Sequence, residues 1–431
     1  MNRDLLIKAL IDWNFWYKEQ FIGIPRDYSN EVLSLLPTGN AIGILGIKRG
    51  GKSTVINQVV KKLIEERKED PFNILIINFE DSRFSDIKNA NDLFYLYELY
   101  KEIRKSSGKP YIFLDEVQKV KGWEGFVRSI IDRKEGYVVF SGSTSSVNSK
   151  RVRETLAGRY LTVNIYPLSF KEFLKFKGLT INSEIELMAN EDRVKSMFQE
   201  YLRYGGFPLV TLNNEKEKIL SQLYEDIIYK DVIRECNVKK EEELRNLALF
   251  YVSNPGNKVN YRRLSRSLKI PLKNVYKYTE CLKNSYLISF TRALSPKLSE
   301  MLRKERKVYC IDNGISNVVG FRLNENIGGL FENAVYLELQ RRYSSENLFY
   351  YRGKRGEVDF IVKEGNEVIE AYQASYYLTD MERELEGLKE ILKVKKVKSY
   401  IITFDNEGEE KVNGEKIKIL NSWKWSLGFS N

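Results

Sequence analysis

The run Gly46-Ile47-Lys48-Arg49-Gly50-Gly51-Lys52-Ser53-Thr54 satisfies the spacing GxxxxGK[ST] in full. It stands between a short apolar strand and a helix expected over residues 53–67, the setting in which this spacing cradles phosphate rather than forming an ordinary glycine-rich turn. Gly46, Gly50 and Gly51 let backbone N–H groups turn inward around phosphates, and the helix N-terminus adds partial positive charge. Lys52 is expected to bridge the β- and γ-phosphates and the Ser53 hydroxyl to ligate Mg2+, with Lys48, Arg49 and Thr54 completing the ATP cradle. Further on, Tyr111-Ile112-Phe113-Leu114-Asp115-Glu116 is an apolar strand ending in two carboxylates, which a parallel sheet delivers to the edge that carries the phosphate loop. Asp115 is expected in the Mg2+ shell and Glu116 as the base that orients and deprotonates water. Ser143, in the hydroxyl run after Phe140, is placed to sense the γ-phosphate; a plain polar loop is the competing reading. Arg159, in LAGRY, is a candidate to contact the γ-phosphate, in cis or from a neighbouring subunit, and a surface arginine is its alternative.

Five apolar runs must position these groups: AIGIL, NILIINF, YIFLD, YVVFSG and LTVNIY. Each is continuously apolar rather than alternating, as strands covered on both faces of a parallel sheet are. Alternation with polar-faced helical segments implies right-handed crossovers and a doubly wound α/β core over 37–167, after a Trp-rich lead-in over 1–36. A helical lid is expected over 168–237, broken by Gly205-Gly206-Phe207-Pro208. Next come a helix, a breaker, a short helix, Pro271 opening a longer helix, and a β-rich turn (238–296). The remainder, 297–431, begins with a helix over 328–343 that sets Phe331, Ala334, Val335 and Leu339 on one face. The strands LFYYR, EVDFIV, VIEAYQASYY, SYIITF and KIKIL follow, with one helix over 380–393.

At 431 residues, with 42% hydrophobic and 13% aromatic residues, the chain is long enough for two to four packed domains. The sequence contains no histidine, which removes Ser-His-Asp and Cys-His catalysis and every His-ligated metal site. Cys236, Cys281 and Cys310 are scattered and odd in number, and are expected as free core thiols in a reducing cytoplasm. The first residues lack the apolar run of a signal peptide, and no stretch of 18 apolar residues exists to span a membrane. A cytoplasmic protein is the expectation. The formal net charge of +11 favours a polyanionic partner such as DNA.

The strings GIKRGGKST, FLDEVQ, LAGRY, YPLSFKEFL, YGGFP, VYCIDNG, LFENAVYLEL and EVDFIV resemble an archaeal AAA+-type P-loop ATPase family nearly end to end. The resemblance implies an ATPase core with lid, a winged-helix segment, and a C-terminal α/β restriction-endonuclease-like domain of uncharacterised function. Carried over residue by residue, it puts Lys52 and Ser53 on phosphate and magnesium, makes Asp115 and Glu116 the acidic pair and Arg159 the LxGR arginine, and sets Arg26 near the nucleotide base. In a winged helix, the helix opening at Pro271 would enter the DNA major groove with Lys273 and Lys277 on phosphates and Asn274 near base edges. Arg262 and Arg263 would stand on the preceding helix; a protein–protein or interdomain spacer is the alternative use. In the C-terminal domain, Glu332 and Asp359 would begin a magnesium site. Gln373 and Ser375 stand where the next glutamate and the lysine belong or, if Glu370 is the carboxylate, Tyr372 replaces the lysine, so a degenerate, non-cleaving domain is expected. Three functions compete: a DNA-binding ATPase that couples nucleotide state to conformation, a signalling switch recruiting protein through its C-terminal domain, and a nuclease-linked repair or defence ATPase. A homo-oligomer is compatible with all three.

Overall fold

The computed structural model describes residues 2–104, 106–142, 150–321, 327–393 and 396–429. The chain divides into two compact units, Met1–Ile165 and Tyr166–Asn431.

In the first unit, strands β1 (Ala41–Gly46), β2 (Ile74–Asn78), β3 (Tyr111–Asp115), β4 (Tyr137–Ser141) and β5 (Tyr160–Ile165) form one sheet in the order β2-β3-β4-β1-β5. Every pairing is parallel. β1, β2 and β3 are buried along their whole length, which accounts for their continuous apolar pattern. All five match the expected runs. Strand order reverses beside β1, so its C-terminal end is the crevice where ligands of open α/β sheets lie. Residues 1–36 are part of this unit. Buried Asn14 donates to the Ile76 carbonyl and accepts from the Ile76 N–H, and Trp16 donates to the Ile74 carbonyl. A side-chain amide thus pairs with edge strand β2 as a neighbouring strand would, and covers an edge otherwise open to association.

In the second unit, helices Phe170–Phe176, Glu184–Ala189, Glu191–Tyr204 and Lys216–Asp226 precede a π-helical stretch, Ile227–Arg234. The order is then helix Glu241–Ser253, β6 (Lys258–Val259), helices Tyr261–Ser267 and Leu272–Asn284, β7 (Ile288–Ala293) and β8 (Arg306–Cys310). β8 pairs antiparallel with both β6 and β7. The remaining strands are β9 (Leu348–Arg352), β10 (Glu357–Glu364), β11 (Glu367–Ser375), β12 (Lys398–Thr403), β13 (Gly408–Val412) and β14 (Glu415–Asn421). They continue the same sheet, which has nine strands among the described residues, in the order β13-β14-β12-β11-β10-β9-β7-β8-β6. The junction is the parallel pairing of Arg292 and Ala293 with Phe349 and Tyr350. Strands on either side of the expected boundary at 296/297 therefore share one ladder. Helix Ile327–Tyr343 buries Phe331, Ala334, Val335 and Leu339, the face read from its spacing.

The thiol expectation is corrected. Cys236 and Cys281 form a disulfide across 45 residues of sequence, while Cys310 is buried and takes no part in it. Packing of the segment after Arg234 onto helix Leu272–Asn284 brings the two Cα atoms to 6.3 Å, a long-range proximity that spacing alone does not encode.

Candidate functional site

β1 ends at Gly46, whose φ of 144° belongs to glycine; a Cβ there would meet the Ile165 carbonyl oxygen at 2.1 Å. The chain turns through Arg49 (φ 60°) and Gly51 (φ 102°) into helix Lys52–Glu65. That backbone sequence turns successive N–H groups toward one side of the loop, as anion-binding turns require. Lys52 is 7% exposed; its ammonium donates to the carbonyls of Gly46 (3.2 Å) and Ile47 (3.4 Å) and stands 3.8 Å from Glu116 Oε1. Lys48 faces Glu80 at 3.9 Å.

Arg26, 3% exposed, donates through Nη1 to the Gly50 carbonyl at 2.7 Å and lies over the Tyr28 ring. The position that the family resemblance set near the base is thus built into the floor of the phosphate loop. Gln58, one turn inside the helix, holds Arg26 in place: its amide oxygen accepts from the Arg26 N–H, and its nitrogen donates to the carbonyls of Ile22 and Ile24. Gly23 packs against Thr54, with space for a Cβ only 3.1 Å from the Thr54 methyl.

β3 brings Asp115 to the same edge. Asp115 is 2% exposed, and burial raises its carboxyl above the usual carboxylate range, opposed by hydrogen bonds from Ser141 and Ser53. The contact between Ser53 and Asp115 gathers oxygens of the kind a hard divalent cation takes. Glu116 sits in left-handed backbone at φ 55°, a strained conformation for a non-glycine residue that marks functional turns. Its Oε2 accepts from Gln118 Nε2 at 2.6 Å. The serine that matters structurally is Ser141, unassigned by sequence reasoning: its hydroxyl donates to Asp115 Oδ1 and accepts from the Glu116 N–H. Its place at the end of the strand beside β3 was the available signal. Ser143 lies outside the described residues.

Arg159 is corrected in part. It precedes β5, and its carbonyl accepts from the Ala41 N–H at the start of β1, so it stands at the opposite edge of the sheet from the phosphate loop. Six residues of strand separate the two edges, about 20 Å at ~3.3 Å each. Its guanidinium is held by Asp132 at 2.6 Å. This geometry sets the guanidinium out of reach of the phosphate loop in cis, so a route from a neighbouring subunit or a plain surface arginine is what it leaves.

In the second unit, Arg262, Arg263, Lys273 and Lys277 are exposed. Asn274 is turned inward, donating to Glu243 at 2.8 Å, which removes its amide from the outward face. Exposed Arg303 and Lys304, between β7 and β8, were not singled out by sequence and lie beside Arg262 and Tyr276 around a cavity of about 510 Å3.

The carboxylates Glu332 and Asp359 come together, but the expectation that no lysine joins them is corrected. Lys307, from β8, places its ammonium 3.0 Å from Glu332, 2.7 Å from Asp359 and 3.0 Å from Glu357. Gln373, at the strand position where a glutamate is expected, accepts from the Asp359 N–H and donates to Glu384. Glu370 accepts from Tyr343 and Tyr372, away from this cluster. Burial opposes the charge on Lys307, yet Asp359 and Glu332 carry its pKa well above the ordinary lysine value. Burial, then the charge of Asp359, raises Glu332 above the usual carboxylate range.

Residues 38–174 match the family described as an AAA domain, in agreement with the phosphate loop and five-stranded parallel sheet. Residues 195–325 and 327–425 match two domains of unknown function, DUF8612 and DUF4143. The whole chain is 33% identical, over 449 aligned residues, to the uncharacterized protein MJ1544 of Methanocaldococcus jannaschii, spanning 100% of this chain and 97% of that one. It belongs to the same family as that archaeal protein. An uncharacterized protein of Haemophilus influenzae is 28% identical over 92% of this chain and 97% of its own. Among solved structures, the Walker-type ATPase PABY2304 of Pyrococcus abyssi is similar at a TM-score of 0.41 and 14% identity, covering 69% of this chain and 95% of that one. No described helix is long and apolar enough to cross a membrane.

Proposed function

We propose that the protein binds ATP with Mg2+, hydrolyses it, and binds DNA through a winged helix at 238–296, so that nucleotide state and DNA binding are coupled. The observation that carries the nucleotide half is the convergence of Lys52, Ser53, Asp115 and Glu116 at one edge of a single parallel sheet, with Lys52 3.8 Å from Glu116. Lys52 would leave the loop carbonyls for the phosphate oxygens, and Gly46–Thr54 would present backbone N–H groups to them. Ser53 and Asp115 would hold Mg2+, which when bound offsets charge on the phosphates. Glu116, held by Gln118 and Ser141, would orient the attacking water and accept its proton. Arg159 would act in trans within a homo-oligomer, released from Asp132.

The DNA half is supported by element order and charge. A helix, a short strand, two helices and β7 follow each other from Glu241 to Ala293, and a short helix, Leu298–Arg303, then leads to β8 beyond the segment; apart from that inserted helix this is the order a winged helix has. The second of the paired helices turns Lys273, Tyr276 and Lys277 outward. Phosphate contacts from Lys273, Lys277, Arg262 and Arg263 are the assignment; Asn274 is not a base reader while it serves Glu243. The test is the ATPase rate with and without duplex, single-stranded and junction DNA. Stimulation that Lys273→Ala/Lys277→Ala removes supports the coupled reading. ATP turnover indifferent to every DNA favours a switch that recruits protein instead.

A further inference from the structure

The cluster around Lys307 is the strongest unassigned feature of the second unit. Lys307 is 3% exposed, and its ammonium lies within 3.0 Å of three carboxylate oxygens, one each from Glu332, Glu357 and Asp359. An ammonium has three N–H donors, so the three carboxylates use its whole capacity. Each carboxylate also has a second donor. Tyr309 donates to Glu332 at 2.8 Å, the Ala374 N–H donates to the second oxygen of Asp359 at 3.0 Å, and Lys258 donates to Glu357. The network opens onto a cleft of about 830 Å3, so solvent and ions can reach its edge.

A divalent cation does not fit this arrangement as it stands. Among the described residues no group of three or more acidic or thiol side chains is disposed to hold a metal, and the point the three oxygens surround is taken by Nζ. Two lysines, Lys307 and Lys258, already face the three carboxylates. Removing the ammonium alone would leave carboxylates buried and uncompensated, which proteins relieve by taking up protons or a cation. Three oxygens now 2.7–3.0 Å from one point need to close by under about 1 Å to reach the ~2.1 Å that small divalent ions demand.

We propose that Lys307 is a resident cation, supplied by β8, which occupies the place a divalent metal would take between Glu332, Glu357 and Asp359 and so makes this cleft metal-independent. The lysine is presented from a different strand than either carboxylate of β10, and in chain order it stands 52 residues before Asp359. It ties the β7–β8 hairpin to the carboxylates of β10 and of helix Ile327–Tyr343. The cleft then gathers three carboxylates around an ammonium and has none of the ion chemistry of a metal centre.

The test is direct binding of Mn2+ alone, read by paramagnetic resonance and calorimetry on the full chain, so no catalytic activity enters the readout. Wild type and Lys307→Arg, which keeps a cation, are expected to show no Mn2+ binding that Asp359→Asn removes. Lys307→Met is expected to gain one site, at least tenfold tighter than any Mn2+ binding of the wild type, and Lys307→Met/Asp359→Asn to lose it. A wild-type Mn2+ site abolished by Asp359→Asn overturns the proposal, as does a folded Lys307→Met with no gain. Should Lys307→Met fail to fold, wild type against Asp359→Asn, with Lys307→Arg as the conservative control, still decides.

Discussion

Replacing Ser141 by Ala removes one hydroxyl that serves both members of the acidic pair. It deletes a hydrogen bond to the buried Asp115 carboxylate and the acceptor of the Glu116 N–H, which the hydroxyl meets at 2.9 Å. A bond to a charged group is worth about 1.5–3 kcal/mol, and an orphaned buried donor costs about 1–3 kcal/mol. The terms overlap at one site, so the expected loss of stability is about 3 kcal/mol, measured by urea unfolding at neutral pH. The variant also has an electrostatic signature. Burial already raises the Asp115 carboxyl, and the hydrogen bond from Ser141 is what most opposes that rise. Its removal therefore pushes the carboxyl further up and leaves more of it protonated at a given pH. Mg2+-dependent ATP turnover of Ser141→Ala should fall furthest behind wild type in mildly acidic buffer and recover toward it as pH rises. A stability change under about 0.5 kcal/mol together with a pH-independent gap would refute the coupling assigned to Ser141.

Glu116→Gln should retain ATP·Mg2+ binding and lose turnover by two or more orders of magnitude, which single-turnover assays measure; normal turnover would remove Glu116 from the role of base. Gly46→Ala places a methyl 2.1 Å from the Ile165 carbonyl at φ 144°, and should weaken ATP binding while lowering stability by about 2–4 kcal/mol in denaturant titrations. Lys273→Ala and Lys277→Ala should each reduce the slope of log affinity for duplex DNA against log salt by about 0.9, with an unchanged slope arguing against phosphate contacts there. Asp312 accepts from the N–H groups of Gly206 and Gly314, and burial lifts its carboxyl to about 6 against those bonds. The folded state therefore binds the extra proton between pH about 4 and 6, and stability attributable to Asp312 is complete below that window and falls by about 3 kcal/mol as pH rises through it. The difference in stability between wild type and Asp312→Asn across that range measures this contribution; a pH-independent difference would contradict it.

Local pattern carried the nucleotide edge well. The five parallel strands, the phosphate loop and the carboxylates of β3 follow from apolar runs of strand length and from glycines at positions that need positive φ, both of which are local properties. What escaped was set by partners distant in sequence. Lys307 reads as one more lysine in a basic hairpin until β8 is laid near β10, 52 residues away. The Cys236–Cys281 pairing and the join of β7 to β9 are of the same kind. Arg159 shows a different limit: its motif announces a strand, but strand direction decides which end of the sheet a residue before that strand occupies. Asn274 had the outward spacing of a reader, and only the packing of helix Glu241–Ser253 supplied the Glu243 that turns it inward.

The ammonium of Lys52 anchors the whole nucleotide reading, and equilibrium binding of ATP with Mg2+ to wild type and Lys52→Ala, each checked for intact fold by circular dichroism, addresses it most directly. Saturable binding by the wild type that drops by at least tenfold in Lys52→Ala is the expected result. No saturable binding by the wild type, or equal affinity in the two proteins, would contradict it.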